Sequence, residues 1–150
     1  MPLKEINHYL YPVPSDDLNP SRLRNIDAAA ACLVRHLSAL VDNTQNRIWV
    51  IIDSDCDGIT ASALLLNYIY YRFPSLVSHF ICLFHNGKQH GLADMMPLLT
   101  VLPNDLIIVP DAGSNDYDEH AKLVDKGAEV LVLDHHIADY ESSSAIVVNN

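Results

Sequence analysis

Five short apolar runs, each followed by a polar turn, constrain this chain more than any other feature. They read "RIWVII", "HFICLF", "DLIIVP", "EVLVLD" and "SAIVVNN", and stretches of helical spacing lie between them. Each run is too short for a core helix and too continuously apolar for a strand with one wet face. Runs of this kind need cover on both sides, and intervening helices supply it in a parallel sheet. The expected fold class is therefore α/β, a five-stranded mainly parallel sheet with helices on both faces. A length of 150 residues suits one domain with a sizeable core.

The covering segments can be read from the same text. Residues 20–42 carry apolar side chains at Ile26, Ala29, Ala30, Leu33, Leu37, Leu40 and Val41, with Asn19 or Ser21 as a cap, which predicts an amphipathic helix. A second helix is expected over 59–72, a short helix or two over 92–102, and another from Tyr117 that Gly127 ends. Residues 1–19, rich in Pro and Tyr, read as an N-terminal arm, leaving 20–150 as the domain.

Open parallel sheets build their sites at the carboxyl ends of the strands. The first run here delivers Asp53, Asp55 and Asp57 to that edge, the second His85, Lys88 and His90, the third Asp111 and Gly113, and the fourth Asp134, His135 and His136. If the backbone stays extended past Ile52, the three alternating aspartates leave on one side. Gly58 then permits a tight turn, and the next helix brings its positive end close to them. Carboxylates this crowded repel one another and need compensation. Hard oxygen ligands mixed with imidazole suit Mn²⁺ or Mg²⁺ better than Zn²⁺ or Co²⁺. Two such ions about 3.5–4 Å apart, bridged by the carboxylate of the third run, can drive hydrolysis at phosphorus. Taken singly, Asp111 also fits an ordinary turn, and His135 and His136 fit a helix cap and a surface histidine.

Other residues have plainer readings. Asp116, Asp118 and Glu119 favour the start of the following helix. Cys56 stands among anionic neighbours that oppose thiolate formation, which argues against a nucleophile. His8, His36, His79 and His120 read as ordinary. The net charge of -10 opposes a broad basic surface for duplex nucleic acid, but leaves room for an acidic site that meets phosphates through cations. Three cysteines without a CxxC pair fit a reducing, cytoplasmic compartment. No apolar run is long enough to span a bilayer, and the first residues lack a signal-peptide pattern.

Taken in order, "DSDCDG" with "ITASALL", then "PDAG", then "LDHH", resemble the DHH phosphoesterase superfamily. The likeness runs over 18–150 and is strongest to RecJ-type single-strand-specific 5′→3′ DNA exonucleases. It implies a Rossmann-like DHH domain with a pair of Mn²⁺ or Mg²⁺ ions and single-stranded DNA as substrate. It implies Asp55 and Asp57 as metal ligands, Asp53 as a ligand or the close partner of one, Asp111 as the bridge, and His135 as a further ligand. Asp134 would orient a histidine, and His136 would face the scissile phosphate. Ile51 stands where other branches of the superfamily place a histidine, which favours the nuclease branch. Lys88 and His90 stand where the family's glycine-rich motif carries an arginine, and are the candidates for substrate contact. Family members continue into another metal-binding aspartate and a second domain, so the chain is expected to be the N-terminal part of a longer protein, weak or inactive alone. Two alternatives are a phosphodiesterase of oligonucleotides or cyclic dinucleotides and an inert module that binds a replication or repair protein.

Overall fold

The computed structural model describes residues 20–42, 45–87 and 90–149. The arm over 1–19 and Lys88 fall outside the described residues. The elements are α1 (Ile26–Asp42), β1 (Ile48–Ile52), α2 (Cys56–Arg72), β2 (Phe80–Phe84), β3 (Leu106–Pro110), α3 (Tyr117–Asp125), β4 (Glu129–Leu133) and β5 (Ile146–Val148), with short 3₁₀ turns at Pro20–Arg22 and Pro74–His79. The five strands form one sheet in the order β2-β1-β3-β4-β5, every pairing parallel, as the apolar runs predict.

Period-two alternation splits each strand between two cores. Ile48, Val50, Ile52, Ile108 and Leu131 face α1 and α2, packing on Ala29, Leu37, Leu40 and Ile69. Trp49, Ile51, Ile107, Val109 and Val132 face the other way, onto Leu92, Met95, Leu99 and, from α3, Leu123. β1 and β3 are buried along their whole length, and each aliphatic side chain so enclosed contributes about 1.5–3 kcal/mol.

Two expectations need correction. Residues 92–99 make isolated helical turns, with Met96 N–H on the Leu92 carbonyl (3.0 Å) and Leu99 N–H on Met95 (3.2 Å), rather than a regular helix. Pro97 interrupts the ladder because it has no N–H to give. α1 begins at Ile26, later than a cap at Asn19 or Ser21 would place it, because Asn25 takes φ +59 and breaks the helical path.

The strand order sets the location of any site. The chain runs from β1 outward to β2, then returns to lay β3 on the opposite side of β1. The carboxyl ends of β1 and β3 thus flank the switch point, where open α/β sheets leave a crevice. At the opposite edge the acids are satisfied. Asp105 is fully buried and accepts from Arg47 Nη2 (2.7 Å), Trp49 Nε1 (3.0 Å) and the Leu102 amide (2.9 Å), as a buried charge requires.

Candidate functional site

β1 ends at Ile52, and the extended backbone stops there. Asp53 is buried, with Oδ1 accepting from the Ser54 amide (2.6 Å) and Oδ2 held by His90 Nδ1. Asp55 caps α2 by accepting from the Gly58 amide (3.0 Å), so the helix begins at Cys56 and not near residue 59. The three aspartates therefore do not alternate along one extended strand. Asp53 lies beneath, Asp55 sits at the cap, and Asp57 occupies the first helical turn. Gly58 serves close approach rather than a turn conformation, since a Cβ there would stand 2.5 Å from the Asp53 Cβ. The Gly58 hydrogen bond, aided by Asp57, His90 and His136, holds the Asp55 carboxyl below the usual carboxylate range.

β3 hands the chain to Asp111, which is buried in a left-handed conformation, φ +67. Its Oδ1 lies 3.1 Å from His135 Nε2, while its Oδ2 is buried with no hydrogen-bond partner. Burial first, and then the charge of Asp57, push its pKa above the ordinary value. His135 Nε2 also stands 3.8 Å from Asp57 Oδ2.

β4 ends in Asp134, whose Oδ1 accepts from the His135 amide (2.7 Å), the His136 amide (3.1 Å) and His136 Nδ1 (2.7 Å). Its Oδ2 accepts from the Ser114 amide (3.0 Å). Burial opposes the Asp134 charge, but the hydrogen bonds from His136 and Ser114 outweigh it and hold the carboxyl at about 2. The same bond to Asp134 raises the pKa of His136. Asn149 closes the network, donating to Ser114 Oγ and to the His136 carbonyl, each at 2.8 Å.

Among the described residues, three groupings at this edge could each hold a cation, with one ligand atom per residue and all within 4.8 Å: Asp53, Asp55 and His90; Asp55, Asp57 and Asp111; Asp111, His135 and His136. Asp55 and Asp111 are shared, so the three merge into one centre at the switch point. Among the described residues the ion pairs of these acids are with histidines alone, whereas Asp105 at the other edge has Arg47. Concentrated negative charge with an orphaned buried carboxylate oxygen, beside imidazole nitrogen, is the donor chemistry of a divalent-cation site. A pocket lined by His90, Gly91, Gly113, Ser114, Asp134 and His136 opens beside it. A larger cavity bordered by Arg24, Tyr140 and Glu141 holds none of the strand-end aspartates.

The structure thus gathers Asp53, Asp55, Asp57, Asp111, Asp134, His135, His136 and His90 at one edge. His85 is drawn inward instead, buried with neither ring nitrogen hydrogen-bonded. Asp116 stands at the start of α3, yet its side chain makes no cap there. It accepts from the Leu92 amide (2.6 Å) and so anchors the loop bearing His90. Ser114, Asn149 and Asp116 escape sequence reasoning because their roles depend on contacts across strands. His36, His79 and His120 take structural partners: Glu129, the Asn46 carbonyl and Ser142.

Residues 47–150 match the family described as the DHH family, N-terminal domain. The chain belongs to the DHH family. It is 41% identical over 138 residues to the SPbeta prophage-derived YorK of Bacillus subtilis (strain 168), named as a single-strand DNA-specific exonuclease, covering 91% of this chain and 22% of that relative. It is 29% identical over 123 residues to RecJ of Haemophilus influenzae, named as a single-stranded-DNA-specific exonuclease, covering 80% of this chain and 20% of that relative. Among solved structures, RecJ from Thermus thermophilus in complex with Mn²⁺ superposes with a TM-score of 0.66 at 25% identity, covering 89% of this chain and 18% of that one. This DHH chain therefore spans about a fifth of the length of the curated relatives it matches.

Proposed function

We propose that this chain is the N-terminal catalytic part of a RecJ-type exonuclease, hydrolysing phosphodiester bonds of single-stranded DNA in the 5′→3′ direction with Mn²⁺ or Mg²⁺. One observation carries the reading: a cluster of strand-end acids whose ion pairs, among the described residues, are with histidines alone, centred on the buried, unpartnered Oδ2 of Asp111. The names of the relatives support single-stranded DNA as substrate, and the Mn²⁺ complex of Thermus RecJ supports the choice of ion. Asp55, Asp57, Asp111 and His135 would hold the cations, with Asp53 adjoining them. When bound, such ions neutralise charge on phosphoryl oxygens and make water nucleophilic at neutral pH.

The chain's own residues do the rest. Asp134 fixes the His136 ring through Nδ1, so that in the protonated ring Nε2–H is free to donate to a phosphate oxygen. Ser114 and Asn149 hold that pair in register with the end of β3. His90 borders the same pocket, and Lys88, two residues upstream, is assigned to the substrate backbone. The three free thiols support a reducing, cytoplasmic setting, and a replication or repair protein is the class of partner the reading implies. Among the described residues, no helix is long and apolar enough to cross a membrane.

The test is made on the full-length protein with a long end-labelled single strand. Mononucleotides are expected from the 5′ end with Mn²⁺ and none with chelator. Asp111→Asn should lower turnover by more than about 100-fold, since even outer partners of metal ligands are worth 10–100-fold. Asp118→Ala, outside the site, should leave turnover within about twofold. Retained turnover in Asp111→Asn overturns the assignment; cleavage confined to di- or trinucleotides moves the chain to the small-substrate class.

A further inference from the structure

Asp53 and Asp134 are two copies of one local device. Each is the first residue after a strand, β1 and β4 respectively. Each side chain is 1% exposed. In each, Oδ1 accepts from the amide of the next residue, Ser54 at 2.6 Å and His135 at 2.7 Å. Each carboxylate also grips the Nδ1 of a half-exposed histidine, His90 or His136. The two rings are neighbours, with centroids 6.1 Å apart and planes tilted by 58°.

A carboxylate that accepts from Nδ1–H fixes the tautomer and orientation of an imidazole, and leaves a lone pair at Nε2 when the ring is neutral. Around a cation this is the carboxylate–histidine–metal arrangement. One nitrogen of His90 lies within 4.8 Å of oxygens of both Asp53 and Asp55, and because Asp53 occupies Nδ1, Nε2 is the nitrogen left to meet an ion. The loop that carries it is held on two sides. Ser54 Oγ donates to the Gly87 carbonyl, and Asp116 accepts from the Leu92 amide. Gly91, at φ +79, has no room for a Cβ against the Asp116 carboxylate.

Resting on the metal-centre reading above, we propose that His90 is a metal ligand through Nε2 on the Asp55 side of the centre, and that Asp53 acts as its positioning residue rather than touching the ion. An imidazole in that shell biases the site toward Mn²⁺ over Mg²⁺, which keeps to oxygen donors. His90 and Asp53 thereby set metal preference as well as affinity.

The experiment uses the full-length protein loaded with Mn²⁺, read by pulsed electron paramagnetic resonance for nitrogen coupling and by calorimetry for affinity. His90→Gln should remove one of the two imidazole couplings, leaving that of His135. It should weaken Mn²⁺ binding by about tenfold or more while changing Mg²⁺ binding by less than about twofold. Asp53→Asn keeps the side-chain shape that Gly58 packs against, and should also lose the His90 coupling, with Mn²⁺ affinity down about 10–100-fold. Bound Mn²⁺ with unchanged nitrogen coupling and unchanged Mn²⁺ to Mg²⁺ preference in His90→Gln overturns the role of His90 and leaves the hydrolase reading standing. A wild-type protein that binds no Mn²⁺ overturns both.

Discussion

Asp111 combines three features that are individually uncommon: a left-handed backbone, a buried carboxylate, and an oxygen without a partner. The other described non-glycine residues with positive φ are Asn25 and Asn104, and short amide or acid side chains tolerate this region because they hydrogen-bond locally. A consequence separates charge from conformation. Asp111→Ala and Asp111→Asn both remove the charge, but alanine meets the left-handed penalty without local help. The alanine variant should be less stable than the asparagine variant by about 1 kcal/mol in metal-free denaturant unfolding. Equal stabilities would show that the residue does not need its left-handed conformation. At this scale "PDAG" is legible as a turn in the sequence, and the identity of the acid is legible too. The orphaned Oδ2 is not, because burial of a single oxygen is decided by packing between segments far apart in the chain.

Among the elements, α2 shows how a site can move a helix boundary. Its first turn is set by Asp55 and packed onto Asp53 through Gly58. Gly58→Ala puts a methyl against Asp53 backbone and Cβ, where nothing flexible can yield, and should cost about 1–3 kcal/mol in thermal or denaturant unfolding. A wild-type-like melting curve would contradict that packing. The seam between α1 and β4 makes a different prediction. Arg35 donates to both oxygens of Glu129 at 2.7 Å, and His36 and Cys32 approach the same carboxylate. The Arg35 hydrogen bonds hold Glu129 at about 2, and burial pushes the Cys32 thiol up to about 11. A depressed carboxyl stabilises the fold above its unfolded value near 4.5 and loses that contribution as pH falls toward 2. Glu129→Gln should therefore be less stable than wild type by about 1 kcal/mol at pH 7, a figure that allows for solvent screening of the exposed pair. The gap should close as the pH approaches 2. A gap that widens in acid would reverse the assigned sign. Helix identity along α1, α2 and α3 was legible from apolar spacing. The start of α2 was not, because the sequence pattern does not show that a cap aspartate can end the extended run at Ile52.

For the molecule as a whole, charge is sorted by sheet edge. At the amino edge Asp105 is neutralised by Arg47, and at the carboxyl edge the acids have only histidines among the described residues. A divalent ion that binds only the folded state should stabilise it by about 2.7 kcal/mol at a hundredfold excess over Kd. For a domain of this size that raises Tm by roughly 5–10 °C. Scanning calorimetry of this chain should show the rise with Mn²⁺, its reversal by chelator, and its loss in Asp111→Asn. No rise in the wild type would mean that the acids are not a cation site. The α/β class, the five parallel strands and the edge to which the acids go were readable from residue order alone, because side-chain periodicity and strand direction are local properties of the chain. Which of those acids share a centre, which hold histidines, and that Asp116 anchors a loop emerged only in the folded chain. Those outcomes depend on strand order and on packing between segments far apart in the chain, where a few ångströms separate a ligand from a hydrogen-bond partner.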